Sequence, residues 1–149
     1  RNVGVHGRVN KLGVPSFVFS REEFIAGVPI LEKLAEYDVC LIVLAGFMNK
    51  ISDVILQAFP GKIVNIHPAL LPKYGGKGMY GMHVHEAVVK AGERESGITI
   101  HYINEHYDEG AIIFQASCPV LPSDTPEEVA SKVHALEYAH YPHVIESLL

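Results

Sequence analysis

Residues 62–74 read K-I-V-N-I-H-P-A-L-L-P-K-Y, and the fold is decided by how this stretch is read. Residues 62–66 form a short apolar run stopped at Pro68, the pattern of a buried strand with Asn65 and His67 at its carboxyl end. Side chains two apart on a strand point to the same face, so an amide and an imidazole address one spot. Open α/β sheets bind their ligands at such strand ends. An Asn there can donate to a developing oxyanion, and a His can donate a hydrogen bond or carry a proton. The pattern also suits a strand that merely stops at a proline, with a capping Asn and a hydrogen-bonded His. The motif by itself does not separate the two.

Outward from this stretch, residues 38–45 (D-V-C-L-I-V-L-A) are a continuous apolar run, as expected of a central parallel strand covered on both faces. Residues 46–50 leave that strand as a loop, and a short helix opens at Ile51 or Ser52 and runs to Phe59. Downstream, a long Gly- and Lys-rich loop covers residues 70–82, a helix covers 83–91 and is closed by Gly92, and strands cover 98–103 and 111–120. Asp124 or Thr125 caps the last helix, with Pro126 near its first position and Glu127 and Glu128 in its first turn. Pro142 is expected to kink or end it. Upstream, residues 1–12 read as a helix stopped by Gly13, and residues 14–19 as an apolar, β-rich strand. Ser20 and Glu23 form a capping box, Gly27 and Pro29 interrupt that helix, and residues 30–36 restart it. Strands separated by helices give an α/β fold with a largely parallel sheet.

The composition fits a single globular domain with a real core: 149 residues, 48% hydrophobic and 19% charged. A net charge of -5 argues against general nucleic-acid binding, so an anionic substrate needs local donors such as Arg21, Lys73, Lys77 or helix N-termini. No run of 18 apolar residues is present, and no signal-peptide pattern, so no membrane association is expected. Cys40 and Cys118 lie in apolar runs without C-x-x-C spacing, and are expected to be buried thiols in a reducing compartment. His83 and His85 resemble a metal pair, but no third ligand follows at a convincing spacing, so no metal is expected. Residues 73–82 lack the G-K-[ST] ending of a Walker loop and read as a flap beside the substrate.

Six blocks follow one another along the chain: L-A-G-F-M, N-I-H-P-A-L-L-P, H-V-H, G-I-T-I-H, Y-D-E-G-A-I-I-F-Q and E-Y-A-H-Y-P. In that order they resemble the folate-dependent formyltransferases, most nearly those that formylate glycinamide ribonucleotide in purine synthesis. The resemblance implies a Rossmann-like formyltransferase fold, mostly parallel with flanking helices, in one domain over residues 1–149. It implies a cytoplasmic enzyme that moves a formyl group from 10-formyltetrahydrofolate, its co-substrate, to the amine of 5'-phosphoribosylglycinamide. Both partners are small molecules.

It further implies that Asn65, His67 and Asp108 are catalytic. Asp108 lies in the polar turn N-E-H-Y-D-E-G, where by itself it reads as a turn Asp before Gly110; the resemblance places it against His67. The family more often has D-G-G-P where this chain has D-E-G-A, so Glu109 and Ala111 are departures. The folate-contacting positions implied are Arg21, Met48, Asn49, Lys50, Ile51, Asn65, Asn104, Glu105, His106, Tyr107 and Asp108. The ribonucleotide-contacting positions are Glu137 and Pro68. Glu137 also has a signal of its own, a carboxylate sharing a helix face with Val129, Val133 and Leu136.

In the family a strand, a Gly-rich phosphate loop, a helix and a second strand come first. Those parts are expected before Arg1, roughly one βαβ unit of on the order of 30 residues or more. Three rivals share much of the pattern. A methionyl-tRNA formyltransferase needs a basic extension to hold RNA. A formyltetrahydrofolate hydrolase puts water in the place of the amine. A folate-binding module binds without transfer.

Overall fold

The computed structural model describes residues 4–106 and 109–149. In chain order the elements are helices α1 (Val5–Lys11), α2 (Arg21–Ala26) and α3 (Val28–Glu36), strand β1 (Ile42–Leu44), helix α4 (Asp53–Ala58), strand β2 (Ile63–His67), helix α5 (Met82–Lys90), strands β3 (Glu95–Tyr102) and β4 (Ile112–Pro119), and helix α6 (Pro126–Ser147). The described strands form one sheet in the order β1-β2-β3-β4, with helices packed against it, an α/β fold. No described helix is long and apolar enough to cross a membrane.

β1 and β2 run parallel, Val43 facing Val64 and Leu44 facing Asn65. β3 and β4 are the exception to the parallel expectation: β2–β3 and β3–β4 are antiparallel. The cause lies in the connection. His67, the last residue of β2, faces Thr99, and β3 starts four residues before that, at Glu95. The loop after Pro68 and helix α5 therefore return the chain to the end of the sheet that it left, and β3 must run backwards.

All five residues of β2 are buried, because the strand is covered on both faces. Ile63 packs with Ile51 and Ile55, while Ile66 packs with Val88, Ile98, Ile100, Val129 and Val133. Asn65 and His67 share the parity of Ile63 and are aligned with it by the pleat.

Of residues 38–45 only Ile42–Leu44 pair among the described strands, where β1 stands at one side of the sheet with Val43 37% exposed. Cys40, in the same run, is exposed and Cys118 half-buried, and neither is a fully buried thiol. Residues 14–19, expected as a strand, are without strand pairing in the described structure. β propensity is realised only against a partner strand, and none of the described strands pairs with them. Phe17 packs instead on Tyr37, ring centroids 5.5 Å apart, with the Lys33 ammonium 4.6 Å from its ring centre.

Local capping follows the sequence closely. Ser20 Oγ accepts from the Glu23 N–H at 3.1 Å and the Glu23 carboxylate accepts from the Ser20 N–H at 2.7 Å, the capping box of α2. Thr125 caps α6 by accepting from the Glu128 N–H at 3.2 Å. Pro142 does not end α6, which continues to Ser147. A proline removes one hydrogen bond, but Tyr141 just before it is buried, and Val144 and Ile145 beyond it pack on the core.

Asp124, buried just ahead of α6, accepts from the Leu121 N–H at 2.8 Å and from Lys132 Nζ at 2.6 Å. The Lys132 hydrogen bond first, then the Leu121 N–H, hold its carboxyl below the usual Asp range. A carboxyl whose pKa is lowered on folding stabilises the fold above its unfolded pKa, and that contribution is lost as pH falls through the folded value. Thermal melts from about pH 7 down to about pH 3 are therefore expected to fall less steeply for Asp124→Asn than for the wild type. Equal slopes would show that the pair adds nothing to folding.

Candidate active site

A cavity of about 680 Å³ opens where the carboxyl ends of β1 and β2 meet the amino half of α5 and the middle of α6. Asn65 and His67, two residues apart on β2, form part of its wall, with Pro68 beside them. Residues 46–51 form the side contributed by β1, residues 103–106 the side that follows β3, and residues 76–82 a rim. His85 of α5 and His134, Glu137 and Tyr141 of α6 close the remaining side.

His67 is 4% exposed, and its Nε2–H donates to the backbone carbonyl of Tyr74 at 2.7 Å. A carbonyl only accepts, so this bond puts a hydrogen on Nε2 and sets the plane of the ring. Asn65 faces His101 across the β2–β3 ladder. His101, with no exposed surface, donates from Nδ1 to the Tyr102 carbonyl at 3.1 Å, so its Nε2 receives the Asn65 amide at 3.5 Å. That contact orients the carboxamide. The Asn65 Oδ1 is buried without a protein partner among the described residues, a polarity that a ligand in the cavity can meet.

The loop that leaves β2 is pinned to the sheet. Thr99 Oγ1 donates to the Ala69 carbonyl at 2.7 Å and accepts from the Leu71 N–H at 3.0 Å, while Gln115 Nε2 donates to the Leu71 carbonyl at 3.0 Å. On the far side, the Tyr141 hydroxyl donates to the Leu44 carbonyl at 2.7 Å, tying α6 to the end of β1, and burial pushes its pKa up. Burial also raises the Glu137 carboxyl, with His134 opposing, and favours its neutral form. His85 is 2% exposed and stands edge-on to His134, ring centroids 6.4 Å apart. Burial lowers its pKa, helped by His134 and His67, so the ring stays neutral. His83 turns outward, against Tyr80 at 5.3 Å between ring centroids, and does not pair with His85. Among the described residues no group of three or more His, Cys, Asp or Glu side chains is placed to hold a metal ion.

The positions expected from the sequence come together unevenly. Met48, Asn49, Lys50, Ile51, Asn65, His67, Pro68, Asn104, Glu105, His106 and Glu137 all line the cavity. Arg21 does not: it opens α2, exposed, while Phe24 of that helix packs behind the wall on Phe47 at 5.2 Å between ring centroids. Tyr107 and Asp108 lie outside the described residues. His134, Tyr141 and His101 also support the site: His101 ends the block G-I-T-I-H and Tyr141 sits in E-Y-A-H-Y-P, while no motif marks His134.

An α/β sheet with a polar pair at a strand end and a cavity beside it is the arrangement of a domain that binds a small molecule. The chain belongs to the formyl transferase family, which matches residues 2–145. Its relatives include the chloroplastic phosphoribosylglycinamide formyltransferase of Arabidopsis thaliana, 42% identical over 141 residues, or 91% of this chain and 48% of that protein. The phosphoribosylglycinamide formyltransferase of Haemophilus influenzae is 39% identical over 143 residues, 93% of this chain and 65% of that protein. Among solved structures, the phosphoribosylglycinamide formyltransferase of Streptococcus pneumoniae TIGR4 superposes with a TM-score of 0.88 at 36% identity, covering 99% of this chain and 82% of that one. The chain spans about half the length of the Arabidopsis relative and 65% of the Haemophilus one.

Proposed function

We propose that this domain transfers the formyl group of 10-formyltetrahydrofolate to the primary amine of glycinamide ribonucleotide. The observation that carries this reading is the placement of Asn65 and His67 side by side in the wall of the cavity. The amine nitrogen attacks the formyl carbon, a new C–N bond forms, and the formyl oxygen takes the negative charge. Asn65 stabilises that oxyanion through the amide hydrogen not directed at His101, and His67 through a proton on Nδ1, its Nε2–H staying on the Tyr74 carbonyl. The tetrahedral intermediate collapses by breaking the bond to N10, and the proton lost by the amine passes to N10 with His67 as the carrier. Asp108 is assigned to hold the His67 ring in its working orientation.

Residues 48–51 and 104–108 are assigned to the folate, with Arg21 at the outer edge, and Glu137 and Pro68 to the ribonucleotide. A raised Glu137 carboxyl is suited to hydrogen bonding with sugar hydroxyls. Both substrates are small molecules, and the free thiols of Cys40 and Cys118 fit a cytoplasmic enzyme. The test is to incubate the protein with 10-formyltetrahydrofolate, with and without glycinamide ribonucleotide. Loss of the formyl group that depends on the ribonucleotide is expected. Equal loss without it would identify a hydrolase, and binding without loss a folate-binding module.

A further inference from the structure

His67 does not set its own orientation. The carbonyl that receives its Nε2–H belongs to Tyr74, a residue with φ 57. A non-glycine residue keeps that left-handed backbone only where its surroundings hold it. Here the holding group is Glu93, in the turn between α5 and β3. Its Oε1 accepts from the Tyr74 hydroxyl at 2.9 Å and from Lys73 Nζ at 3.3 Å, while the Tyr74 ring packs on the main hydrophobic core. Glu93 is therefore linked to the imidazole through one residue: its carboxylate grips the tip of the Tyr74 side chain, and the Tyr74 backbone grips the ring of His67.

We propose that Glu93 is a positioning residue for His67, acting through the Tyr74 hydroxyl on the backbone carbonyl that accepts the His67 Nε2–H. Neither Glu93 nor Tyr74 lines the cavity, so neither is assigned a contact with substrate. A carboxylate is suited to this place because it accepts two donors at one oxygen, and the charge of Lys73 strengthens its hold. The Tyr74 hydrogen bond first, then Lys73, keep the Glu93 carboxyl below the usual range and therefore ionised. The effect on catalysis rests on the formyl-transfer reading, but the placement of the ring does not.

The test uses Glu93→Ala, Glu93→Gln and Tyr74→Phe, the last keeping the packed ring and losing only the hydroxyl. Two quantities are measured: kcat and KM for formyl transfer, and the His67 ring nitrogens by 15N–1H NMR. In the wild type a hydrogen-bonded Nε2–H signal is expected. In Glu93→Ala and Tyr74→Phe that signal is expected to weaken through exchange with water, and kcat to fall by about tenfold with KM nearly unchanged, because a misplaced catalytic group slows the step more than it weakens binding. Glu93→Gln, whose amide oxygen still accepts from Tyr74, is expected to recover most of both. An Nε2–H signal unchanged in both Glu93→Ala and Tyr74→Phe overturns the proposal, as does an unchanged kcat in an active enzyme. If the wild type itself shows no transfer, the functional reading fails, and the NMR signal alone decides whether Glu93 places the ring.

Discussion

Replacing His67 with alanine is expected to lower kcat for formyl transfer by about 10²–10⁴-fold, while the Kd for the folate changes by no more than about threefold. The imidazole is assigned to the transition state, where charge on the formyl oxygen and a proton between two nitrogens both need it. The folate is assigned chiefly to residues 48–51 and 104–106, which line the walls and which the substitution leaves in place. His67 is nearly buried and bonded to the Tyr74 carbonyl, so its loss also weakens the loop after β2. His67→Gln separates the two effects. A glutamine amide can still donate to Tyr74 but cannot carry a proton, so this variant is expected to lose almost as much kcat with a smaller loss of stability. Asp108→Asn is expected to act in the same direction. Near-wild-type kcat in either His67 variant would remove the imidazole from the reaction.

The second large effect is on folding. Gly97 lies in β3 opposite Ser117, and a Cβ placed there would meet the Ala116 carbonyl oxygen at 2.0 Å and Leu70 Cδ2 at 2.8 Å. The Leu70 contact is the end of a side chain and can shift, but Ala116 is backbone of the neighbouring strand and cannot give way without breaking the β3–β4 pairing. Gly97→Ala is therefore expected to cost on the order of 3 kcal/mol or more, a fall in Tm of roughly 10 °C for a chain of this size. Differential scanning calorimetry measures it, and a Tm within about 2 °C of the wild type would contradict the packing described here. Gly110 invites the same test, since its Cβ would meet the Tyr102 carbonyl oxygen at 1.6 Å.

What could be read in the sequence, and what could not, divides along the range of the interactions. The buried β2, the capping box of Ser20 and Glu23 and the Thr125 cap are local, and each follows from a few neighbouring residues. The two-residue period places Asn65 and His67 on one face without any knowledge of the rest. The direction of β3 is different, because it depends on where the loop after Pro68 and α5 deliver the chain, which no periodicity encodes. The supports of the site are longer in range still. Tyr74 reaches Glu93 across 19 residues, Asn65 reaches His101 across 36, and Tyr141 reaches Leu44 across 97. Each of these side chains has an ordinary bland reading in the sequence, and acquires a role only from a partner brought close by the fold.

The cavity beside Asn65 and His67 is proposed to pass a formyl group to an amine. The most direct measurement follows the formyl carbon itself, with 10-formyltetrahydrofolate labelled with 13C at that carbon, glycinamide ribonucleotide as acceptor, and 13C NMR of the mixture over time. With wild-type protein the label is expected to move from the folate N10 to the amine of the ribonucleotide, and with His67→Ala to stay on the folate. Label released as formate at the same rate with and without the ribonucleotide would contradict it, and so would label that never leaves the folate.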